Sequence, residues 1–339
     1  MRGLKTLLVA VLLLASAHAE TLHVYTWADY ISPEVVKQFE KQHGCKVVID
    51  TFDSNEGMYA KLKAGATGYD LVFPTAYMIQ VMHAQGMLQN LDHALLPNLK
   101  HIDPALLAKL PDQTMQHSVP YTLGYAVIAV RKDKVKDAEA SWAMFDRPAL
   151  ARRVTLLDDM RESIGAALKS LGHSINTRDE AQLAAARDVL IRWKKNIARF
   201  DNEGYKAGID SAEFHLVHGY SGDLFQVQRE NAKVELLIPR EGVTISSDEF
   251  VIPKGAKQTA LAHALINHLL DPAVAAENME WMGYLCPNLA ALKKVSPEFL
   301  QNPAIQIPDD VKAKCEVIED LGADLAKYTK VWDAVKAAR

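Results

Sequence analysis

The sequence predicts an α/β protein of two lobes, each a largely parallel sheet covered by helices. Three observations carry this expectation. Short apolar runs alternate with helical patterns along the chain, as strands and covering helices do in α/β folds. The 339 residues exceed what one hydrophobic core usually supports. No repeat, low-complexity tract or flexible linker separates the two halves, so crossing strands are expected to join the lobes.

Residues 1–19 carry Arg2 and Lys5, then the apolar run "LLVAVLLLASA", then Ala17-His18-Ala19, the layout of a cleavable secretory signal. Cleavage after Ala19 and export to a bacterial periplasm are expected. The apolar run is shorter than the ~20 residues that span a bilayer, and no cysteine at the cleavage point invites a lipid. "LHVYTW" reads as the first strand. Ser32 then caps a helix that has Pro33 at its first position, Val35, Val36 and Phe39 on one face, and Gly44 past its end. A second strand, "CKVVID", leads to the helix "EGMYAKLKAG"; a third, "YDLVFP", leads to "AYMIQVMHAQG".

"HSVPYTLGYAVIAVRKD" is an extended β segment, after which a second α/β series runs through "RVTLLDD", the helix "AQLAAARDVLIRWKKNI", "EFHLVHGY" and "KVELLIP". From "EFVIPKG" onward the pattern is mostly helical, ending in "LAKYTKVWDAVKA".

Without Arg2 and Lys5, the 38 basic side chains fall to 36 against 42 acidic ones, a net charge of −6. That mild acidity disfavours nucleic acid and tolerates a cationic ligand, and decides nothing alone. Cys45, Cys286 and Cys315 are too few for a disulfide framework. Cys286 with Cys315 is the pairing to expect, whereas Cys45 at the head of "CKVVID" reads as a buried strand residue.

In open α/β sheets, ligands bind beyond the carboxyl ends of the strands. "TWADY", "PTAY" and "DDMRE" stand at three such ends and offer Trp27, Asp29, Tyr30, Thr75, Tyr77, Asp159 and Glu162. Aromatic faces beside carboxylates suit an organic ammonium: the rings attract the cation and cover its methylene stem, and the acids accept its N–H bonds. Each residue also has a plain structural role to set against this. Trp27 and Tyr30 suit core packing, Asp159 and Glu162 complement a helix dipole, and Arg161 between them is expected to set their geometry. Trp193, Trp281 and Trp332 sit on amphipathic helical patterns and read as packing residues. Glu213, His215 and His218 faintly suggest a metal cluster, but a strand puts the two histidines on opposite faces. No cofactor is implied, and no nucleophile elbow, zinc-protease or phosphate-loop motif is present in the sequence.

The stretches "YTWADYISPEVVKQFEK", "MYAKLKAGATGYDLVFPTAY", "LLDDMRESIGAALKSLGHSINT", "GYSGD", "DEFVIPKGAK" and "GYLCPNLAA" resemble the periplasmic polyamine-binding proteins of ATP-driven (ABC) uptake systems. The likeness runs over essentially the whole mature chain. It implies the type II periplasmic binding protein fold: two α/β lobes joined by crossover strands, with a ligand cleft between them. The implied division is a signal at 1–19, lobe 1 at 20–128 plus 250–310, and lobe 2 at 129–249, with the C-terminal helices of 311–339 packing near the hinge and lobe 2. It further implies a monomer that takes a putrescine, cadaverine or spermidine-like amine and hands it to a membrane permease, or docks on a membrane sensor, without enzymatic chemistry.

By the same resemblance, Trp27 and Tyr30 wall the amine, and Thr75 and Tyr77 add hydroxyls. Asp159, Glu162 and Asp248 supply acids, Tyr284 a further ring, and Asp29 and Asp223 the acids used in putrescine-type members. Tyr220 stands where the family usually has tryptophan, Ser246 where it has an aromatic, and Ile318 near a glutamine of the spermidine receptors. The thinner aromatic box leaves an ω-amino acid, such as 4-aminobutyrate or 5-aminovalerate, as the alternative ligand. Several acids in one unliganded cleft repel each other, so raised pKa values are expected there.

Overall fold

A computed structural model describes residues 19–108, 110–302, 305 and 307–338. The signal segment expected at 1–19 lies outside the described residues except for its last position. The chain opens with β1 (Thr21–Thr26), α1 (Pro33–His43), β2 (Lys46–Thr51), α2 (Asn55–Lys63), β3 (Leu71–Val72), α3 (Ala76–Ala84) and α4 (Pro104–Leu107). The order β2-β1-β3 makes a parallel sheet with β1 at its centre. α1 begins and ends where its sequence dictates. The Ser32 hydroxyl accepts from the Glu34 amide, Pro33 fills the first turn, and Gly44 closes the helix at φ 63°. Val35 and Phe39 are buried and Val36 partly so. β2 departs from the apolar reading of "CKVVID": Cys45 just before it is buried, but Val48 is 42% and Ile49 37% exposed. The reason is position, since β2 is an edge strand of this sheet.

The chain continues through β4 (Val119–Arg131), β5 (Val154–Leu156), α5 (Met160–Ser170), α6 (Glu180–Lys194), β6 (Ile197–Phe200), α7 (Tyr205–Ser211), β7 (Leu216–Tyr220), α8 (Ser221–Glu230), β8 (Val234–Leu237) and β9 (Thr244–Phe250). It closes with α9 (Thr259–Leu269), α10 (Pro272–Met282), α11 (Pro297–Gln301), α12 (Asp309–Lys312), β10 (Glu316–Val317) and α13 (Leu325–Ala337). The second sheet runs β10-β9-β4-β7-β5-β6, with β8 also on β4. β4 is its spine. The first half of β4 pairs antiparallel with β9 and the second half with β7 and β8. Beyond β9 the chain reaches the first sheet, where Val251 bridges Val72 and Pro253 bridges Leu88. The two sheets are thus sewn together by β4 and β9 and the segments that follow them.

α13 packs on α5 and α6, and the Tyr328 hydroxyl donates to the carbonyls of Ile175 and Thr177 at 2.8 and 2.9 Å. Trp193 is fully buried, while Trp281 and Trp332 lean on the core from its margin. His218 is buried against the Trp142 ring edge, 5.0 Å between centroids, and burial pulls its pKa down to about 3. The expected Cys286–Cys315 bond does not form: all three cysteines are free thiols. Cys286 is buried beside Tyr121, whereas the Cys315 thiol donates to the Val311 carbonyl one helical turn back. The two thiols serve different neighbourhoods.

One buried carboxylate ties the return segment to the first sheet. Asp70, 2% exposed, accepts from the His23 amide at 3.0 Å and from the Lys257 and Gln258 amides at 2.8 and 2.9 Å. Hydrogen bonds to a charged group contribute about 1.5–3 kcal/mol, and leaving buried donors unmet adds a further cost. Asp70→Ala should therefore lower the unfolding free energy by about 2–4 kcal/mol in a urea titration. A loss within 0.5 kcal/mol would show that these three bonds do not anchor the segment.

Candidate functional site

Between the two sheets lies a cavity of about 800 Å³ whose walls come from the ends of β1, α3, α5, β7, α8, β9 and the segment after α10. It gathers every residue expected to line a ligand site: Trp27, Asp29, Tyr30, Thr75, Tyr77, Asp159, Glu162, Tyr220, Asp223, Ser246, Asp248 and Tyr284. Ile318 lines it too.

Asp248 is the joint of the cavity. It lies on β9, where Thr75 of the first sheet forms an isolated bridge to it, and it is 8% exposed. One carboxylate oxygen accepts from the Thr75 hydroxyl at 2.6 Å and the other from the Tyr30 hydroxyl, which also lies 2.8 Å from Thr122 Oγ1. Asn55 fixes Thr75 in turn, donating to its hydroxyl at 2.9 Å and accepting from its amide at 3.0 Å. Burial pushes the Asp248 carboxyl up to about 6, with the two hydroxyls opposing the shift. Its neighbour Glu249 points away from the cavity toward Ser118 and Asp112, and burial pushes it up to about 8.

The second acidic group sits at the start of α5. Asp159 caps that helix, accepting from the amides of Arg161 and Glu162 at 2.9 and 3.0 Å, and its other oxygen lies 3.4 Å from the Tyr220 hydroxyl. Glu162, 3% exposed, accepts from the Thr244 hydroxyl. Burial, followed by the nearby Asp159 charge, pushes Glu162 up to about 8. Arg161 does not pair with these acids among the described residues. Its guanidinium donates to the Glu319 carbonyl at 2.8 Å and to Asn176 at 2.7 Å and lies over the Tyr328 ring, so it anchors the C-terminal segment. Its influence on the acids comes through its backbone amide, which holds Asp159, and through its charge, which opposes the rise of both carboxyls.

Aromatic surface completes the walls. The Trp27 indole, half-buried, donates to the Phe73 carbonyl at 3.0 Å and tilts on Phe52 with centroids 4.3 Å apart. Tyr30 meets Tyr284 edge-on at 5.3 Å, and the Tyr77 hydroxyl donates to Glu56 at 3.1 Å. Tyr284 lies flat on the backbone of Gly222 at the start of α8, where a Cβ would stand 2.2 Å from the ring. Only glycine leaves that ring its place. Ser246, where the family resemblance implies a ring, carries only a hydroxyl 3.5 Å from the Gly124 carbonyl.

Sequence reasoning missed Phe52, Asn55, Lys206 and Glu56. Asn55 and Glu56 open α2 beside the cavity, and Lys206 lies on α7, a seven-residue helix with no strong apolar period.

The profile of bacterial extracellular solute-binding proteins matches residues 34–307. The spermidine/putrescine-binding periplasmic protein of Salmonella typhimurium is 36% identical over 331 residues, covering 96% of this chain and 95% of that protein. The putrescine/cadaverine-binding protein of Pseudomonas aeruginosa is 34% identical over 350 residues, covering 98% and 99%. Among solved structures, a putative spermidine/putrescine ABC transporter protein from Listeria monocytogenes superposes with a TM-score of 0.86 at 34% identity, over 95% of this chain and all of that one. The two sequence relatives are binding proteins by name and the structural one is an ABC transporter protein, and the shared fold is that of two α/β lobes about a cleft. The chain belongs to the family of bacterial extracellular solute-binding proteins.

Proposed function

We propose that this chain is the periplasmic receptor of an ABC uptake system, capturing a di- or polyamine of the putrescine, cadaverine and spermidine class by closing its two lobes. One observation carries the reading: buried acids, Asp248 and Glu162, face an aromatic-walled cavity with hydroxyl partners and no cation paired to either among the described residues. A carboxylate taken out of water without a counter-ion is costly. A ligand ammonium supplies that counter-ion, and the rings of Trp27, Tyr30 and Tyr284 cover its methylenes.

The lobes are taken as 20–128 with 250–310, and 129–249, with residues 311–339 packed near the hinge and lobe 2, which the contacts of α13 with α5 and α6 support. The acting form is a monomer cleaved after Ala19, with a membrane permease as its partner and no chemistry performed on the ligand. No helix among the described residues is long and apolar enough to cross a membrane. An amine bridging the lobes binds the closed form better and so shifts the population toward it. Moving that balance from 1:99 to 99:1 takes about 5.5 kcal/mol of differential affinity. Two or three charge-assisted hydrogen bonds at about 1.5–3 kcal/mol each supply it.

Calorimetry with putrescine, cadaverine, spermidine, 4-aminobutyrate and 5-aminovalerate tests the ligand class. The amines should bind at least tenfold tighter than the ω-amino acids; tight binding of the ω-amino acids alone would sink the reading. Asp248→Asn should weaken amine binding by about 3–5 kcal/mol, because it strands a buried ammonium. Glu249→Gln should leave binding unchanged, since that carboxyl faces away from the cavity and is already mostly neutral at pH 7. The reverse pattern would shift the site to the other face of β9. Trp27→Ala should cost about 1–3 kcal/mol of affinity, and a fall in melting temperature with unchanged affinity would make Trp27 a packing residue only.

A further inference from the structure

Among the described residues two cationic side chains line the cavity, Arg161 and Lys206, and Lys206 makes the contacts that a ligand ammonium would make. Lys206, on the first turn of α7, places its Nζ 3.0 Å from Asp29 Oδ2, 3.1 Å from Gln226 Oε1 and 3.8 Å from Asp223 Oδ1. Asp29 belongs to the turn after β1 of the first sheet, whereas Lys206 and Asp223 sit on helices flanking β7 of the second. The ion pair therefore spans the cleft. Asp29 holds its place through an uncommon backbone: it takes φ 54°, the left-handed region that an aspartate tolerates better than most residues. Asp223 is fixed from its far side, where the Tyr205 hydroxyl donates to Oδ2 at 2.6 Å. Gln226 is fixed as well, its amide donating to the Met282 carbonyl at 2.8 Å.

The cavity thus has two acidic seats of different character. The inner one, at Asp248 and Glu162, is buried, and neither carboxyl is ion-paired among the described residues. The outer one, at Asp29 and Asp223, is more exposed and already contains an ammonium on a four-carbon tether. A lysine ammonium has three donors and no acceptor, and here it faces two carboxylates and one amide oxygen. A second ligand ammonium arriving at this seat meets the positive charge of Lys206 and must displace it.

We propose that Lys206 is a specificity-determining residue: it occupies the outer ammonium seat, so that a diamine gains little there over a monoamine of the same length. The proposal rests on the reading of the cleft as an amine site and specifies which part of that site is free. Ligand charge is then read mainly at the inner seat, and the outer seat tunes how strongly a second ammonium counts.

The test compares matched ligand pairs, putrescine with n-butylamine and cadaverine with n-pentylamine, by calorimetry on the full chain and on Lys206→Met, Lys206→Gln and Lys206→Arg. Removing the tethered charge in the Met and Gln variants should raise the diamine-to-monoamine affinity ratio tenfold or more, through tighter diamine binding. The Arg variant, which keeps the charge, should stay within about threefold of the parent ratio. Two neutral substitutions guard against one that fails to fold, with thermal melting as the check. An unchanged ratio, or one that falls because diamines lose affinity, overturns the proposal while leaving the amine reading intact. Failure of the parent protein to bind any of the four amines, with spermidine failing as well, overturns both.

Discussion

The structure turns on a charge that the fold leaves without a counter-ion. Asp248 sits where β9 leaves the second sheet and meets the first, so the segment that joins the lobes also delivers the carboxylate. Hydroxyls from Tyr30 and Thr75 hold its two oxygens, and no lysine or arginine does so among the described residues. Hydroxyls orient a carboxylate but do not neutralise it, and at this burial its pKa rises to about 6. Glu162 is buried in the same way with Thr244 as its hydroxyl partner, and burial with the Asp159 charge pushes it up to about 8, so near neutral pH it mostly keeps its proton. Everything else about the cavity follows from keeping these acids buried, aimed inward and short of a cation.

Nearby cations form no ion pair with Asp248 or Glu162 among the described residues, although Arg161 lines the cavity and its charge opposes the rise of the Asp159 and Glu162 carboxyls. Arg161 lies between the two α5 acids in sequence, yet its guanidinium is held by the Glu319 carbonyl, Asn176 and the Tyr328 ring. Lys206 is drawn to the outer pair of Asp29 and Asp223. A positive ligand entering the cleft therefore finds its inner counter-charges open. Because those acids lie at the junction of the two sheets, meeting them favours the arrangement in which the walls come together.

Much of this was legible in the sequence. Strand ends concentrate ligand groups in α/β sheets, and "TWADY", "PTAY" and "DDMRE" each carried aromatic, hydroxyl or acidic side chains at such an end. The Ser32 and Gly44 signals bounded α1 because caps are local chemistry. What stayed hidden was non-local. β6 and β10 carry no buried apolar run, since only Ile197 of β6 is buried and both residues of β10 are half-buried. β2 is exposed because it is an edge, which its own apolar residues do not announce. The free state of Cys286 and Cys315 depends on where tertiary packing puts them. Lys206 looked like one basic residue among many, and only the approach of α7 to the turn after β1 gives it two acids from opposite sides of the cleft.

The inner acids hold protons that a bound cation displaces, and proton exchange on binding reads this out. Burial raises Asp248 to about 6 and Glu162 to about 8, so near neutral pH the empty cavity holds bound protons, shared over an interacting set of groups. A ligand ammonium favours the ionised acids, which lowers their pKa values and expels protons, so affinity should rise as pH increases from 6 to 8. Putrescine itself stays fully charged over this range. The measurement is the calorimetric enthalpy of putrescine binding at pH 7 in buffers of different ionisation enthalpy. The account requires net proton release that shrinks in Glu162→Gln; no exchange, or net proton uptake, would contradict it.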